Sequence, residues 1–334
     1  MAIDVGRAEE VFVTSATQAS CPCKLCGSET IRKFEIDYPE GRYPILECKV
    51  CALRFIDFVD DPSTVSEDSA GYIETQLHSN DDRFRWQVEA VSQRAVPGRV
   101  LDVGAGGGRF LAELKQGGWT EGVTGIEPKT SRRQFALNRY DIDLRPFEIT
   151  HGSWDGEAFS AITMWDVIEH MQDPAGAVRR AAELLEPGGK LFLETPTREC
   201  AYYKGADLVY RLTGRPTLLR SMYYAPRTYG HKQIFTAAQL EMLMRRYGLD
   251  RVEVVRFHEL SFPTAHYLRR IVKLPQLVKT LDPIVGLVLK ATRVRNKVMV
   301  IGTKPDDVRA PSLHADLSTP HPSRTDREDR AAVA

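Results

Sequence analysis

Residues 100–110, Val-Leu-Asp-Val-Gly-Ala-Gly-Gly-Gly-Arg-Phe, constrain the fold more than any other stretch of this 334-residue chain. A short apolar run reaches Gly104, and Phe110, Leu111 and Leu114 open a helical pattern directly after the glycines. Glycine lets a backbone turn tightly and bring its amides against a ligand without a Cβ in the way. A strand, a glycine turn and a helix in that order form the opening unit of a doubly wound α/β sheet, whose ligands bind beyond the carboxyl ends of the strands. The nicotinamide fingerprint G-x-G-x-x-G does not fit, because its third glycine falls on Arg109 when counted from Gly104 and on Leu111 when counted from Gly106. The pattern that fits is acidic-x-Gly-x-Gly-x-Gly, with Asp102 two residues ahead of Gly104.

Further elements follow in a fixed order. Gly122 to Ile126 reads as a second strand ending in Glu127-Pro128, where an acid lies beside ribose hydroxyls in a doubly wound sheet. Thr130 to Tyr140 reads as a helix, followed by a short third strand near Asp143-Leu144-Arg145 and then Pro146-Phe147-Glu148. Phe159 to His170 reads as a fourth strand and its exit loop, with Asp166, Val167, Glu169 and His170 in the loop. Asp173-Pro174 supplies an N-cap and a first-turn proline for the next helix. That helix ends at Leu184-Leu185-Glu186-Pro187-Gly188-Gly189, ahead of a fifth strand from Lys190 to Glu194.

This series resembles the class I S-adenosylmethionine (SAM) methyltransferases: the acidic glycine loop, the hydrophobic run followed by D-x-x-E-H, and L-x-P-G-G before a strand. Ser160 stands where the family usually has Asp after Phe159. The resemblance implies a seven-stranded Rossmann-like sheet of the doubly wound α/β class. It also implies a SAM site lined by Asp102, Gly104, Ala105, Gly106, Glu127, Pro128, Phe147, Glu148, Asp166 and Val167, with Phe147 packing on the adenine and Glu148 facing its amino group.

Ahead of this unit lie Cys23-x-x-Cys26 and Cys48-x-x-Cys51, separated by 21 residues. The spacing suits a four-cysteine zinc ribbon, in which four thiolates hold a structural Zn²⁺ with no open position. Two disulfides are the rival reading, but residues 1–20 contain Asp4, Glu9 and Glu10 and no apolar core of a signal peptide. Cys21 is a spare that competes with Cys23 as a ligand. The start of the chain resembles a bacterial group with an N-terminal ribbon that serves small-molecule, sugar or envelope pathways. The expected organisation is a flexible 1–20, a ribbon over 21–60 and a helical linker over 61–95. A methyltransferase domain over 96–305, with insertions at 200–230 and 261–296, precedes a disordered tail over 306–334.

Composition narrows the partners. No apolar run approaches the roughly 18 residues that span a bilayer. Net charge is zero, yet residues 201–304 carry 19 Lys and Arg against 6 Asp and Glu, a balance of +13. An anionic partner is expected for this half: a nucleotide-sugar, a lipid-linked glycan, or an anionic membrane surface on the cytoplasmic side. The alternative is a solvated basic face. Insertion 200–230 holds Tyr210, Tyr223, Tyr224 and Tyr229 and is expected to shape an acceptor lid. Insertion 261–296 alternates apolar with basic residues, as in a surface-lying helix or one docked on the core.

Methyl transfer to a hydroxyl or carbon acid needs a base, and histidine titrates near neutrality. His170 and His231 are the candidates; the plainer reading of each is a loop-orienting hydrogen bond. The resemblance to sugar C-methyltransferases is weakened by Thr228 and Gly230, which stand where that group has Tyr and Glu. O-methylation of a small-molecule, sugar or glycan acceptor therefore leads, with sugar C-methylation as an alternative. RNA methylation through the ribbon is the other alternative. It is disfavoured because ribbon cations such as Lys24, Arg32 and Lys49 are offset by Glu29, Glu35 and Glu47.

Overall fold

The computed structural model describes residues 21–38, 41–58, 81–119, 122–223, 230–259, 264–272, 274–291 and 295–306. The expectations for 1–20, for most of the linker, for Tyr224, Thr228 and Tyr229, and for the tail beyond 306 lie outside the described residues.

The expected α/β unit forms around a six-stranded sheet. In chain order its elements begin with α1 (Asp81–Ser92), β4 (Val100–Val103), α2 (Arg109–Gln116), β5 (Val123–Ile126) and α3 (Thr130–Tyr140). They continue with β6 (Phe159–Trp165), α4 (Pro174–Leu184), β7 (Leu185–Pro196), β9 (Asp250–Phe257) and β10 (Lys297–Thr303). The strand order is β5-β4-β6-β7-β10-β9, with β10 antiparallel to both neighbours and β4, β5, β6 and β7 parallel. A seventh position exists as a single parallel bridge between Ile126 and Arg145, at the expected third strand. Pro146 follows at once and has no N–H to extend a ladder. Strands β6 and β10 are buried at every residue, as befits strands covered on both faces. Asp173 Oδ1 caps α4 by accepting from the Gly176 N–H, with Pro174 in the first turn. The fifth strand starts earlier than expected, at Leu185, because the Glu186-Pro187-Gly188-Gly189 turn is itself part of β7.

A second sheet runs β1 (Thr30–Tyr38), β2 (Gly41–Cys48), β3 (Arg54–Ile56) and β8 (Gln233–Ile234), all antiparallel. The first three strands belong to the cysteine segment, and the fourth comes from the methyltransferase segment. One buried core accordingly joins Leu25, Leu46, Leu53 and Phe55 to Phe235, Leu240, Leu243 and Met244, the last three on α6 (Ala237–Arg246). Thr236 and Gln239 cap α6 reciprocally, as their spacing predicts.

Insertion 200–230 forms α5 (Ala201–Thr213) and a 3₁₀ turn over Leu219–Ser221. Its described part packs on the ribbon sheet: Tyr203, Leu219 and Tyr223 share a core with Phe34, Ile36 and Ile45. Arg54 is held there between Glu47 (2.5 Å) and Asp207 (2.5 Å). Insertion 261–296 forms α7 (Thr264–Ile271) and α8 (Pro275–Ala291). Leu274, Leu277, Ile284 and Leu287 are exposed along it. Among the described residues no helix is long and apolar enough to cross a membrane.

Candidate active site

The glycine loop sits where β4 ends. Gly104, Gly106 and Gly108 all have positive φ (67°, 54° and 76°). A Cβ on Gly104 would lie 2.7 Å from Val167 Cγ2, so this glycine lets the loop after β6 close against the loop after β4. Ala105 stays in register by donating its N–H to Ile126 O (2.9 Å). Glu127 is almost wholly buried at the end of β5. Its Oε2 accepts from the Gly106 N–H and its Oε1 from the Lys129 N–H, both at 3.0 Å, and Arg132 lies 3.7 Å from Oε2. The acid beside the expected ribose position is thus fixed against the loop itself. Asp102 is buried within β4 and accepts from Thr163 Oγ1 (2.7 Å) on β6; burial pushes its carboxyl up to about 7. Pro128 leads into α3, Phe147 packs edge-on against Trp154, and exposed Glu148 lies 3.7 Å from His151.

Asp166 and Val167 leave β6 at the same edge. Asp166 takes φ 54°, an uncommon conformation for a non-glycine residue. Its carboxylate belongs to a buried charge cluster that sequence reading missed. Lys297 Nζ contacts Asp166 (2.5 Å), Glu194 (2.8 Å) and Glu259 (2.6 Å), while Arg83 on α1 reaches Asp166 at 2.8 Å. Burial alone would raise Asp166, but Lys297 and Arg83 hold it well below the usual carboxylate range; burial pushes Glu194 up to about 7. The three carboxylates are close enough to hold a metal ion, but the Lys297 ammonium already takes the cation's place. The signal in the sequence is slight: Arg83 and Gln87 stand four residues apart on α1, and both reach Glu194.

The two candidate bases meet. His170 ends a 3₁₀ turn over Ile168–His170, and His231 precedes β8. Their ring centroids are 5.0 Å apart. Both present Nε2 to Glu169 Oε1, at 3.9 and 3.8 Å. Glu169 is 1% exposed; its Oε2 accepts from Thr195 Oγ1 (2.9 Å), and Oε1 has no hydrogen-bond partner among the described residues. Burial and the nearby Asp166 push Glu169 up to about 8. Burial lowers His170 to about 4 and His231 to about 3, so both rings are neutral at pH 7. Such rings can accept a proton, and the Glu-His-His set can also ligate a divalent ion. Sequence reading found both histidines but passed over Glu169, which joins them.

At the ribbon, Cys23, Cys26, Cys48 and Cys51 bring their sulfurs within 4.8 Å of one another as free thiols. Three of the pairs stand at 3.5, 3.5 and 3.7 Å. A tetrahedral Zn²⁺ with Zn–S bonds near 2.3 Å has sulfurs about 3.8 Å apart, so the donor set fits. Backbone N–H groups of Leu25, Val50 and Cys51 point at the Cys23 and Cys48 sulfurs (3.4 Å each). The hydrogen bond between Cys51 and Cys23 lowers the Cys23 thiol and raises that of Cys51, so the two share one proton. Cys21 stays outside this group, with its sulfur beside Pro22 O.

The family model described as "Methyltransferase domain" matches residues 78–254. Over 178 residues the chain is 30% identical to the ubiquinone biosynthesis O-methyltransferase of Xanthomonas axonopodis pv. citri, covering 50% of this chain and 70% of that one. Over 157 residues it is 29% identical to the protein of the same name from Aeromonas salmonicida, covering 45% and 62%. The chain therefore spans just under two thirds of the second relative's length. A solved SAM dependent methyltransferase from Archaeoglobus fulgidus superposes with a TM-score of 0.48 at 13% identity, covering 71% of this chain and 100% of that one. The glycine loop, the buried acid after β5 and the strand order agree with the family match: the chain belongs to the methyltransferase-domain family and is a SAM-dependent methyltransferase.

Proposed function

We propose that this enzyme methylates a hydroxyl oxygen of a small-molecule, sugar or lipid-linked glycan acceptor, with the Glu169–His170–His231 cluster on the acceptor side. The observation that carries this reading is the convergence of two neutral histidines on one buried carboxyl at the carboxyl edge of the sheet. Relatives named as O-methyltransferases support oxygen as the methylated atom. The exposed leucines of α8 and the basic excess of residues 201–304 favour an anionic, lipid-linked acceptor met at a membrane surface.

In this reading Gly104, Ala105 and Gly106 give the cofactor close backbone approach, and the remaining lone pairs of Glu127 accept from the ribose hydroxyls. Pro128, Phe147, Glu148, Asp166 and Val167 complete the walls. The bound cofactor supplies an electrophilic methyl. His170 or His231 takes the acceptor's hydroxyl proton on a ring nitrogen, and the imidazolium forms facing Glu169. Orientation of the hydroxyl supplies much of the remaining rate. The four ribbon cysteines hold a structural Zn²⁺.

The test pairs binding with turnover. S-adenosylhomocysteine should bind wild type, His170→Gln and His231→Gln alike in calorimetry. Methyl transfer to a screened panel of hydroxyl acceptors should fall about 10²–10⁴-fold in the variant that lacks the base. Full turnover in both variants would remove the histidines from the mechanism.

A further inference from the structure

The turn that carries Glu169 and His170 has no side-chain N-cap bond, and Glu169 ties it to Thr195 by one side-chain hydrogen bond. Its backbone is gripped by two consecutive residues, Lys232 just before β8 and Gln233 at its start. The Lys232 N–H donates to Glu169 O (2.8 Å) and Lys232 Nζ to His170 O (2.8 Å). The Gln233 side-chain amide donates to Ile168 O and Met171 O, both at 2.9 Å. Four successive carbonyls of the turn thus end on Lys232 and Gln233. Gln233 is fully buried, and a buried carbonyl stripped of its donor is strongly disfavoured.

These two residues draw their own position from the ribbon. The Ile56 N–H donates to Lys232 O (2.8 Å), and Phe55 and Arg54 pair with Gln233 and Ile234. Strand β3 follows the second cysteine knuckle directly, and that knuckle is tied to the same part of the domain by Gln239 Nε2, which donates to Cys51 O (2.7 Å). On the first knuckle Arg246 donates to Leu25 O (2.6 Å). His231, one residue before Lys232, leads into the same strand. The cofactor-side loops after β4 and β5 are bonded through Glu127, Ile126 and Arg145, and Asp166 at the head of the loop after β6 is held by Glu194 O, Arg83 and Lys297; none of these bonds involves the ribbon.

We infer that Gln233, with Lys232, is the positioning residue for the acceptor-side histidines, and that the metal-loaded ribbon sets it through the β3–β8 pairing. The ribbon is then part of how the acceptor side is built, although no ribbon side chain need touch the reacting atoms. The inference rests on the reading that the cluster lies on the acceptor side, but its test does not depend on either histidine being a base.

The experiment uses the full chain, labelled with ¹⁵N-histidine, and follows the ring nitrogens of His170 and His231. Their signals are assigned with His170→Gln and His231→Gln. Three samples are compared: metal-loaded wild type, wild type stripped with a chelator, and metal-loaded Gln233→Met, which keeps the length of the side chain and loses its donors. Affinity for S-adenosylhomocysteine is measured on each. The expected result is displaced or broadened ring signals for both histidines in the second and third samples, with cofactor affinity held within about twofold. Unmoved ring signals in Gln233→Met would overturn the positioning role. Ring signals that move there but not on stripping would overturn the role of the ribbon metal. A tenfold or greater loss of cofactor affinity in parallel would show that the ribbon supports the whole domain and not the acceptor side. If the stripped chain precipitates, Gln233→Met and a β3 variant, Phe55→Leu, decide between these outcomes in the loaded protein. Wild type that contains no metal after purification from zinc-supplemented medium overturns the ribbon half of the inference.

Discussion

Gly104 shows how one residue couples the two loops of the site. Its φ of 67° and the 2.7 Å approach that a Cβ would make to Val167 predict two separate effects of Gly104→Ala. The backbone conformation alone destabilises by about 1–2 kcal/mol. The collision pushes the loops apart and weakens S-adenosylhomocysteine binding by roughly tenfold or more. Gly118→Ala is the control, since Gly118 has φ 91° with nothing within 4 Å of the added carbon: it should lose stability and keep affinity. Equal affinity in the two variants would mean that the loop contact is not needed for binding. Glycines of this kind are legible in sequence, because few other residues tolerate the turn. Ala52, after the second knuckle, adopts the left-handed conformation (φ 54°) although it is not glycine, matching Gly27 after the first (φ 75°). Glu169 was visible only as a letter in a motif. What makes it central is burial beside Asp166 and two histidines, one of them 62 residues away in the chain, and no spacing rule reports that. Its carboxyl, raised to about 8, carries a definite pH signature. A folded-state pKa above the unfolded value means stability that is present below about pH 4.5 and lost as pH rises toward 8. Glu169→Gln keeps an acceptor for Thr195 and holds no proton, so it should gain on wild type as pH rises from 5 to 8, by up to about 1.4 kcal/mol per unit. Denaturant titrations at several pH values read this directly, and a constant difference would show that Glu169 is ionised throughout. The histidines act in the other direction. Their lowered values make stability fall as pH drops from 6.5 toward 4, so the Glu169 effect is read on the neutral side of that range, between about pH 7 and 8.

Among the elements, α1 was legible as part of a helical linker but not as part of the site. Arg83 in that linker and Lys297 stand 214 positions apart. Only the sheet order, which sets β10 beside β7, brings Lys297 to Glu194. The third strand was read from an apolar residue between polar ones, and Pro146 leaves it a single bridge. Insertion 200–230 was expected to shape an acceptor lid. Its described part packs on the ribbon, where Tyr203, Leu219 and Tyr223 find the apolar face that β1 and β2 leave open. The charge cluster gives the prediction at this scale. Lys297 is buried and meets all three carboxylates at 2.5–2.8 Å, closer than Arg83, which reaches Asp166 at 2.8 Å and Glu194 and Glu259 at 3.6 Å. Lys297→Met keeps the packing and leaves Asp166, Glu194 and Glu259 with Arg83 alone. Breaking a buried ion cluster from one side typically destabilises by about 3–5 kcal/mol. Such a loss should appear in the denaturation midpoint, and a loss below about 1 kcal/mol would mean that water reaches the cluster and screens it.

At the scale of the molecule, part of the basic excess of residues 201–304 is met by acids outside that stretch. Arg256 pairs with Glu199, and Lys297 with Asp166 and Glu194. The more consequential feature is the join between the ribbon and the α/β unit. A ribbon is too small to build its own core and is ordinarily organised by its metal. Here the ribbon also contributes Leu25, Leu46, Leu53 and Phe55 to the core that contains α6, and it receives β8 as its fourth strand. Two units sharing a core and a sheet should unfold together. Metal bound only by the folded state then stabilises all of it, by about 4 kcal/mol when the free ion stands a thousandfold above its Kd. For a domain of this size each kcal/mol moves the melting temperature by about 2–4 °C, so chelation should lower a single transition by roughly 10 °C. Calorimetry with and without chelator tests the point. Two transitions, of which chelator moves only the lower, would show that the ribbon melts by itself on a domain that does not need it. One transition displaced as a whole would mean that the four cysteines hold together the enzyme as well as the ribbon.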